Sequence, residues 1–446
     1  MKRYRLNTRT IRLDDAWDVV VAGGGPAGCA AAVAAAREGA RTLLIERSSA
    51  LGGMGTLGLV PAWCPFTDGK QIIYRGLAEK VFTASKAGMR HIPPTRLDWV
   101  DIDPERLKRI YDDLVGEAGV RVLFDSAVTA VDLASPREVR ALIVANKAGL
   151  SAYRARVYVD CTGDADVCAW AGAGYDKGSA GGDLQPATHC FVLSNVDSYQ
   201  YANGGRPTAG KLGQLISQGG KYPRIKDPHL CNNLIGPGTV GFNSGHLWDV
   251  DNTDPDSVSR ALPEGRRLAE EFRQALAEYA PQTFANAFLV ATGALLGIRE
   301  TRRVQGDYTL TIKDYLQRRT FADEICRNAY PVDVHCSKKE TKAFAKGKGA
   351  AMDRYEWYKP GETHGIPYRC LVPKGLKNVL VAGRSISTDR DVQGSTRVMP
   401  VCLCVGEAAG IAAAMASADR SSDVHRVNTD HLRRTLIRHG AYLPRT

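Results

Sequence analysis

A chain of 446 residues is longer than one hydrophobic core usually fills, so two domains are expected. Charged residues make up 24% and hydrophobic residues 44%, which excludes a disordered or fibrous chain and fits a globular one. The net charge of +11 is dispersed, with its densest basic stretches at Lys338–Lys348, Arg433–Arg438 and the Met1–Arg12 arm. Such charge reads as solvated faces and an N-terminal arm, with no aromatic-basic interleaving to mark a nucleic-acid surface. The apolar runs read as too short to cross a bilayer, and no apolar core precedes the first strand to make a secretory signal. Eleven cysteines at irregular spacings, without a C-x-x-C pair, point to reduced thiols in a cytoplasmic chain and to no metal site.

The first element in the chain is a β-branched run at Asp18–Ala22, read as a buried parallel strand. Gly23, Gly25 and Gly28 follow on G-x-G-x-x-G spacing and lead into a small-residue helix at 27–37. In this pattern the first glycine allows the tight turn and the second lets backbone amides approach a pyrophosphate. The third lets the helix sit close to the sheet. Glu46 ends the next apolar run (42–45), where a carboxylate accepts from both ribose hydroxyls and repels a 2′-phosphate. The motif therefore favours FAD or NAD over NADP and leaves those two open.

Asp103–Gly119 reads as a helix, with Pro104 behind a capping aspartate. Residues 120–124, 128–133 and 138–145 read as strands of a meander, and 156–167 as a strand, a Thr-Gly-Asp turn and a helix. After about Gly182 the segments become longer, more polar and more aromatic. Strands are expected at 188–193, 239–248 and 306–312, and helices at 263–280 and 287–296. Gly236, Gly238 and Gly241 repeat the glycine spacing, but polar strand-like residues follow them and they read as a turn. A buried strand returns at 377–384, and an alanine- and glycine-rich helix at 406–415. The expected architecture is α/β: a three-layer, Rossmann-like dinucleotide-binding domain made from residues 13–182 and 377–446, interrupted by a mixed α+β substrate domain at 183–376.

Several segments stand together in one order. They are 18–28, GluArgSerSerAlaLeuGlyGlyMetGlyThr (46–56), AspCysThrGlyAspAlaAspVal (160–167), GlyIleArgGluThrArgArg (297–303), ValAlaGlyArgSerIleSer (381–387), ArgValMetPro (397–400) and GlyGluAlaAlaGly (406–410). This series resembles the FAD-dependent oxidoreductases distantly related to fumarate reductase and glutathione reductase flavoproteins, and covers nearly the whole chain. The resemblance implies that Gly23, Gly25, Pro26, Ala27 and Gly28 hold the FAD pyrophosphate, and Glu46 and Arg47 the adenosine ribose. It places Gly52, Gly53, Gly55 and Thr56 along the ribityl and isoalloxazine side, and Val128 as a backbone clamp on the adenine. Thr162, Gly163 and Asp164 match the Ala-Thr-Gly turn near the adenosine half, with Cys161 in place of its alanine. Gly383 and Arg384 match the motif that meets the phosphate and ribityl chain. Met399 and Pro400 lead to a helix whose N-terminus faces the flavin. In that helix Glu407 replaces the usual glutamine, adding a negative charge near that helix and departing from the family pattern around the flavin.

A flavin performs the redox step, so the protein has to supply orientation and a proton donor or acceptor. His246, His335 and Tyr368 are candidates for the proton step, as is His364, although any single histidine is more often a surface or structural residue. Arg299 and Glu300 are readable as a substrate clamp or as a buried ion pair. Cys29 reads as packing, and Cys64 as a buried thiol or a residue reaching the ring. These features point to hydride exchange between flavin N5 and a small-to-medium polar substrate. Oxygen, a quinone or another protein would serve as electron partner, since no second nucleotide domain is visible. A flavin-bearing tRNA-modification or nucleic-acid-binding protein is the alternative, motivated by the charge.

Overall fold

The computed structural model describes residues 10–345 and 355–444, so most of the Met1–Arg12 arm and the end of the Lys338–Lys348 stretch lie outside the described residues. Five parallel strands form the central sheet, in the order Val379–Val381, Val157–Asp160, Val19–Ala22, Thr42–Ile45, Arg121–Leu123. Four of the five are buried along their whole length, as β-branched strands covered on both faces must be. On one face Val19, Val21, Leu44, Val159 and Leu380 pack with the Pro26–Arg37 and Met399–Ala418 helices. On the other, Val20, Leu43, Tyr158 and Val381 pack against Val139, Leu142 and Val144 of a four-stranded sheet. That sheet is a meander of Ala127–Ser135, Glu138–Asn146 and Gly149–Tyr153, extended by Arg12–Asp14 running parallel to its last strand. Of the three strands expected in it, 128–133 and 138–145 are there, while 120–124 instead pairs parallel with Thr42–Ile45 at the edge of the central sheet. The result is three layers: helices, parallel sheet, antiparallel sheet.

The two helices of the first layer touch backbone to backbone. A Cβ at Gly406 would overlap the Ala27 carbonyl, and one at Gly410 the Ala31 carbonyl. One small residue per helical turn lets the axes approach this closely. By length and composition Met399–Ala418 could cross a bilayer, contrary to the expectation from the apolar runs, but 89% of its most apolar window is buried inside the protein.

A second core runs from Ala187 to Ile298. It is built on the antiparallel sheet Leu230–Gly236, Thr239–Ser244, Phe191–Ser194, Phe288–Thr292 and on the Pro255–Tyr279 helix. Gly238, at φ +61°, sits in the hairpin turn between the first two of these strands, so the second glycine pattern is a turn. By contrast, Leu310–Val372 share the core of the nucleotide-domain helices rather than that of the insertion.

Three local expectations differ from the structure. Residues 287–296 contain an edge strand instead of a helix, because Phe288 and Val290 alternate outward in a period-two pattern. The 263–280 helix starts at Pro255, where Asp254 caps it and Pro255 takes the first position, while Pro263 lies inside. Residues 306–312 make only isolated bridges from Gly306 and Leu310. Thr311 and Asp314 then form a capping box that opens the Ile312–Leu316 helix.

Candidate functional site

The Val19–Ala22 strand ends at Gly23 (φ +96°), whose N–H donates to the Ile45 carbonyl at 2.8 Å. A Cβ there would overlap the Cys161 carbonyl, and a Cβ at Gly28 the Gly23 carbonyl, so both glycines are required by close approach. Gly25 differs: nothing lies within 4 Å of where its Cβ would stand. Gly25 caps the Pro26–Arg37 helix without a side-chain hydrogen bond, and first-turn N–H groups therefore face open space. Gly52, at φ +95°, donates to the Gly24 carbonyl at 2.8 Å, which lays the 52–56 loop along this opening. Gly53 follows at φ +51°, and Gly55 lies against Met399. The Thr56 hydroxyl is buried and donates to the Leu51 carbonyl at 2.6 Å, so it serves its own loop.

Glu46 stands at the strand tip, its Oε2 accepting from the Gly24 N–H at 2.6 Å and its Oε1 from the Ser48 N–H and hydroxyl at 2.8 and 2.5 Å. Arg47 is exposed beside it, and Val128 is half-buried opposite Val144. Asp160 receives the Thr162 N–H and hydroxyl. Gly163 takes φ +82°, and its carbonyl accepts from Ser385 at 2.6 Å. Asp164 accepts from Arg384, Thr301 and Asn252 at 2.5, 2.6 and 2.5 Å, tying the nucleotide domain to the insertion. Burial works to raise the Asp164 pKa, and these partners outweigh it. Gly383 (φ +96°) touches Ala27. Met399 and Pro400 form the first turn of their helix, whose cap at Val398 again makes no side-chain hydrogen bond.

Next to this helix start is a polar group assembled from distant segments. His246 Nε2 and His335 Nδ1 are 2.8 Å apart. Asp227 Oδ1 lies 3.2 Å from His246 Nδ1, and Asp333 Oδ1 lies 3.3 Å from His335 Nε2. Asp333 also accepts from Arg397 at 3.1 Å, two residues before Met399, and from the Tyr330 hydroxyl at 3.3 Å. His229 stacks on His246 with ring centroids 4.3 Å apart. Arg299 is 6% exposed and donates to the Pro186 carbonyl and the Thr188 hydroxyl, both at 2.8 Å. It forms no ion pair among the described residues.

Burial, reinforced by Arg299, pushes His335 down to about 3. Burial and the neighbouring His246 and His335 hold His229 well below its usual value. Burial also lowers His246 despite Asp227. Arg299 is itself lowered to about 10 by burial and by Arg397. Burial works upward on Asp333, but His335, Arg397 and Arg299 overcome it and hold the carboxyl far below the ordinary range. The rings are thus neutral at physiological pH and offer lone pairs, while Arg299 offers an unpaired positive charge.

Residues 18–436 match the family model described as FAD dependent oxidoreductase. The chain belongs to that family. Its cofactor is FAD. Among solved structures, the chain is similar to a geranylgeranyl bacteriochlorophyll reductase-like protein from Thermoplasma acidophilum. That match has 13% identity and a TM-score of 0.48, covering 96% of this chain and 86% of that one. A p-nitrophenol 4-monooxygenase from Pseudomonas putida DLL-E4 gives 13% identity and a TM-score of 0.44, covering 96% and 85%. A triple mutant of a flavin-dependent brominase gives 13% identity and a TM-score of 0.44, covering 95% and 84%. No curated protein matches the chain. The family assignment rests on the match over 18–436.

Of the sequence candidates for chemistry, the structure brings together His246, Arg299 and His335. Glu300 points away from them, into a buried network with Arg303 at 2.5 Å and Arg390 at 3.2 Å, and it accepts from the Gln185 N–H. Arg299 and Glu300 are therefore not a pair. The Tyr368 hydroxyl is buried and donates to the Val424 carbonyl at 2.8 Å, where it joins C-terminal structure. His364 is fully buried beside Tyr358. Cys64 is close to Tyr330, at the edge of the histidine group, and burial pushes its thiol up to about 12.

Glu407 is not near the helix start. Its Oε2 accepts from the Leu77 N–H at 3.0 Å and caps the Leu77–Lys86 helix, on a face of Met399–Ala418 remote from the helix N-terminus. His229, Asp227, Asp333 and Arg397 were not singled out from the sequence. They come from segments far apart in the chain, and no motif connects them.

Proposed function

We propose that this family member oxidises or reduces a small-to-medium polar organic substrate whose anionic or strongly accepting oxygen group docks on Arg299. Gly23 to Gly28, with the open N-terminus of the Pro26–Arg37 helix, receive the FAD pyrophosphate. Glu46 orients the adenosine ribose, and the 52–56 loop and the Met399 helix start flank the flavin end. Arg384, fixed by Asp164, orients the backbone at Gly383. Bound FAD supplies the hydride acceptor or donor. The observation that carries the substrate reading is Arg299, a buried guanidinium with no carboxylate partner, set among neutral imidazoles. A buried cation with no carboxylate in direct contact, and only Asp333 acting on it from farther off, still carries a desolvation cost, which an anionic ligand in contact offsets.

The test is anaerobic bleaching of the bound flavin by hydroxy acids, unsaturated acids, sugars and amines, in the intact protein and in Arg299→Ala. Bleaching or reoxidation by acids that disappears in Arg299→Ala supports the reading. Turnover confined to amines or neutral sugars and unaffected by Arg299→Ala overturns the substrate class.

A further inference from the structure

The carboxylates around the histidine group decide which ring nitrogens carry protons. Asp227 faces His246 Nδ1 at 3.2 Å and Asp333 faces His335 Nε2 at 3.3 Å. An ionised carboxylate accepts only, so each favours an N–H on the nitrogen it faces. In a neutral ring that leaves lone pairs on His246 Nε2 and His335 Nδ1, and these two atoms lie 2.8 Å apart. In those tautomers the two lone pairs repel unless a positive centre joins them, whereas the other tautomer of either ring makes an N–H···N bond at the cost of setting a lone pair against a carboxylate.

Two cations can fill the role. One is an extra proton shared between the rings; the other is a metal ion. Two nitrogens at about 2.1 Å from one ion and at right angles stand about 3 Å apart, close to the spacing observed. A third ring decides between the two. The ligand nitrogens of His229, His246 and His335 lie within 4.8 Å of one another. His229 Nδ1 is buried without a hydrogen-bond partner. A shared proton gives that atom nothing, whereas a metal ion gives it a bond. Asp333 Oδ1 likewise makes no well-directed hydrogen bond, as expected of an outer carboxylate waiting on an oriented imidazole.

We propose that His229, His246 and His335 form a binding site for one divalent first-row transition ion of the zinc type, with Asp227 and Asp333 as outer carboxylates orienting two of its ligands. Three neutral imidazoles leave at least one coordination position open, the pattern of a site that binds a substrate oxygen rather than a closed structural one. Asp227 and Asp333 offset Arg299 and Arg397, so the ion does not enter net positive surroundings. The three histidines come from separate segments, so no ligand spacing marks the site in the sequence.

The proposal concerns the resting protein and stands apart from the substrate assigned above. The FAD-loaded full chain is stripped with a chelator, dialysed and titrated with Co2+ and Zn2+. Bound metal is counted by mass spectrometry, and Co2+ coordination is followed by its ligand-field absorption. One equivalent per chain is expected, with Co2+ bands displaced by Zn2+ and lost in His335→Ala. Because a ring deletion can unfold the protein, Asp227→Asn serves as the conservative variant, weakening binding by roughly 10- to 100-fold while flavin absorbance is kept. Binding below one equivalent in the intact protein, or binding unchanged in both variants, overturns the proposal. So does nitrogen-resolved NMR showing a proton shared by His246 and His335 in protein saturated with Zn2+.

Discussion

Asp333 and Arg397 form a buried ion pair, Nη2 to Oδ2 3.1 Å, and Arg397 also donates to the Asp333 carbonyl at 2.8 Å. This pair links the loop that carries His335 to the start of the Met399–Ala418 helix. Removing the carboxylate leaves two buried arginines, Arg299 and Arg397, without the charge that balances them. Asp333→Ala is expected to lower the unfolding free energy by about 3–5 kcal/mol, measured by chemical denaturation. An exposed carboxylate such as Glu105 provides the contrast, with an expected change within about 0.5 kcal/mol for Glu105→Ala.

Arg299→Lys keeps the charge but loses the planar fork. It is expected to raise KM for an acidic substrate roughly 30-fold, the equivalent of about 2 kcal/mol for a charge-assisted hydrogen bond. The absorbance of the bound flavin is expected to stay unchanged. Steady-state kinetics together with the visible spectrum separate this outcome from general loss of structure.

Glu407 is buried and its pKa is raised to about 7, chiefly by burial, while the Leu77 N–H, Arg37 and Lys80 pull it down. The folded state therefore holds this proton more tightly than the unfolded chain does. Stability is full below the unfolded carboxyl value of about 4.5 and falls as pH rises to about 7, then levels off with respect to this group. Glu407→Gln keeps an acceptor for Leu77 and removes the titration. Its stability is expected to exceed that of the natural protein at pH 8 by about 3 kcal/mol, read as a higher melting temperature, and nearly to match it at pH 4.5.

Gly28 and Gly406 both exclude a side chain, but for different partners. Gly28→Ala drives a methyl into the Gly23 carbonyl at the nucleotide turn, and is expected to release FAD on gel filtration. Gly406→Ala drives one into the Ala27 carbonyl between two helices, and is expected to cost about 1–3 kcal/mol by denaturation.

The nucleotide half was legible because its signals are local. A β-branched strand, a glycine turn and a small-residue helix sit within about 20 residues; Gly23 and Gly28 meet the backbone, while Gly25 leaves open space. The inserted region was less legible. Phe288–Thr292 is an edge strand whose pattern only pairing with Phe191–Ser194 settles, and Pro263 imitates a helix start that Asp254 and Pro255 supply eight residues earlier. Glu407 shows the limit most plainly: the motif gave its place in the helix, and only packing shows that its carboxylate accepts from the Leu77 N–H.

The sequence by itself determined a dinucleotide site, the parallel sheet and the glycine-bound approach of the Pro26–Arg37 helix, because short-range backbone sterics dictate each of them; FAD rather than NAD came from the family resemblance. Only the tertiary structure decided that His229, His246 and His335 meet, that Arg299 parts from Glu300, and that Asp333 binds Arg397. The histidines and the Asp333–Arg397 pair come from separate stretches of the chain, and Arg299 and Glu300, though neighbours, are turned to different partners. What joins them is burial of two hydrophobic cores, a force proportional to area and blind to sequence spacing.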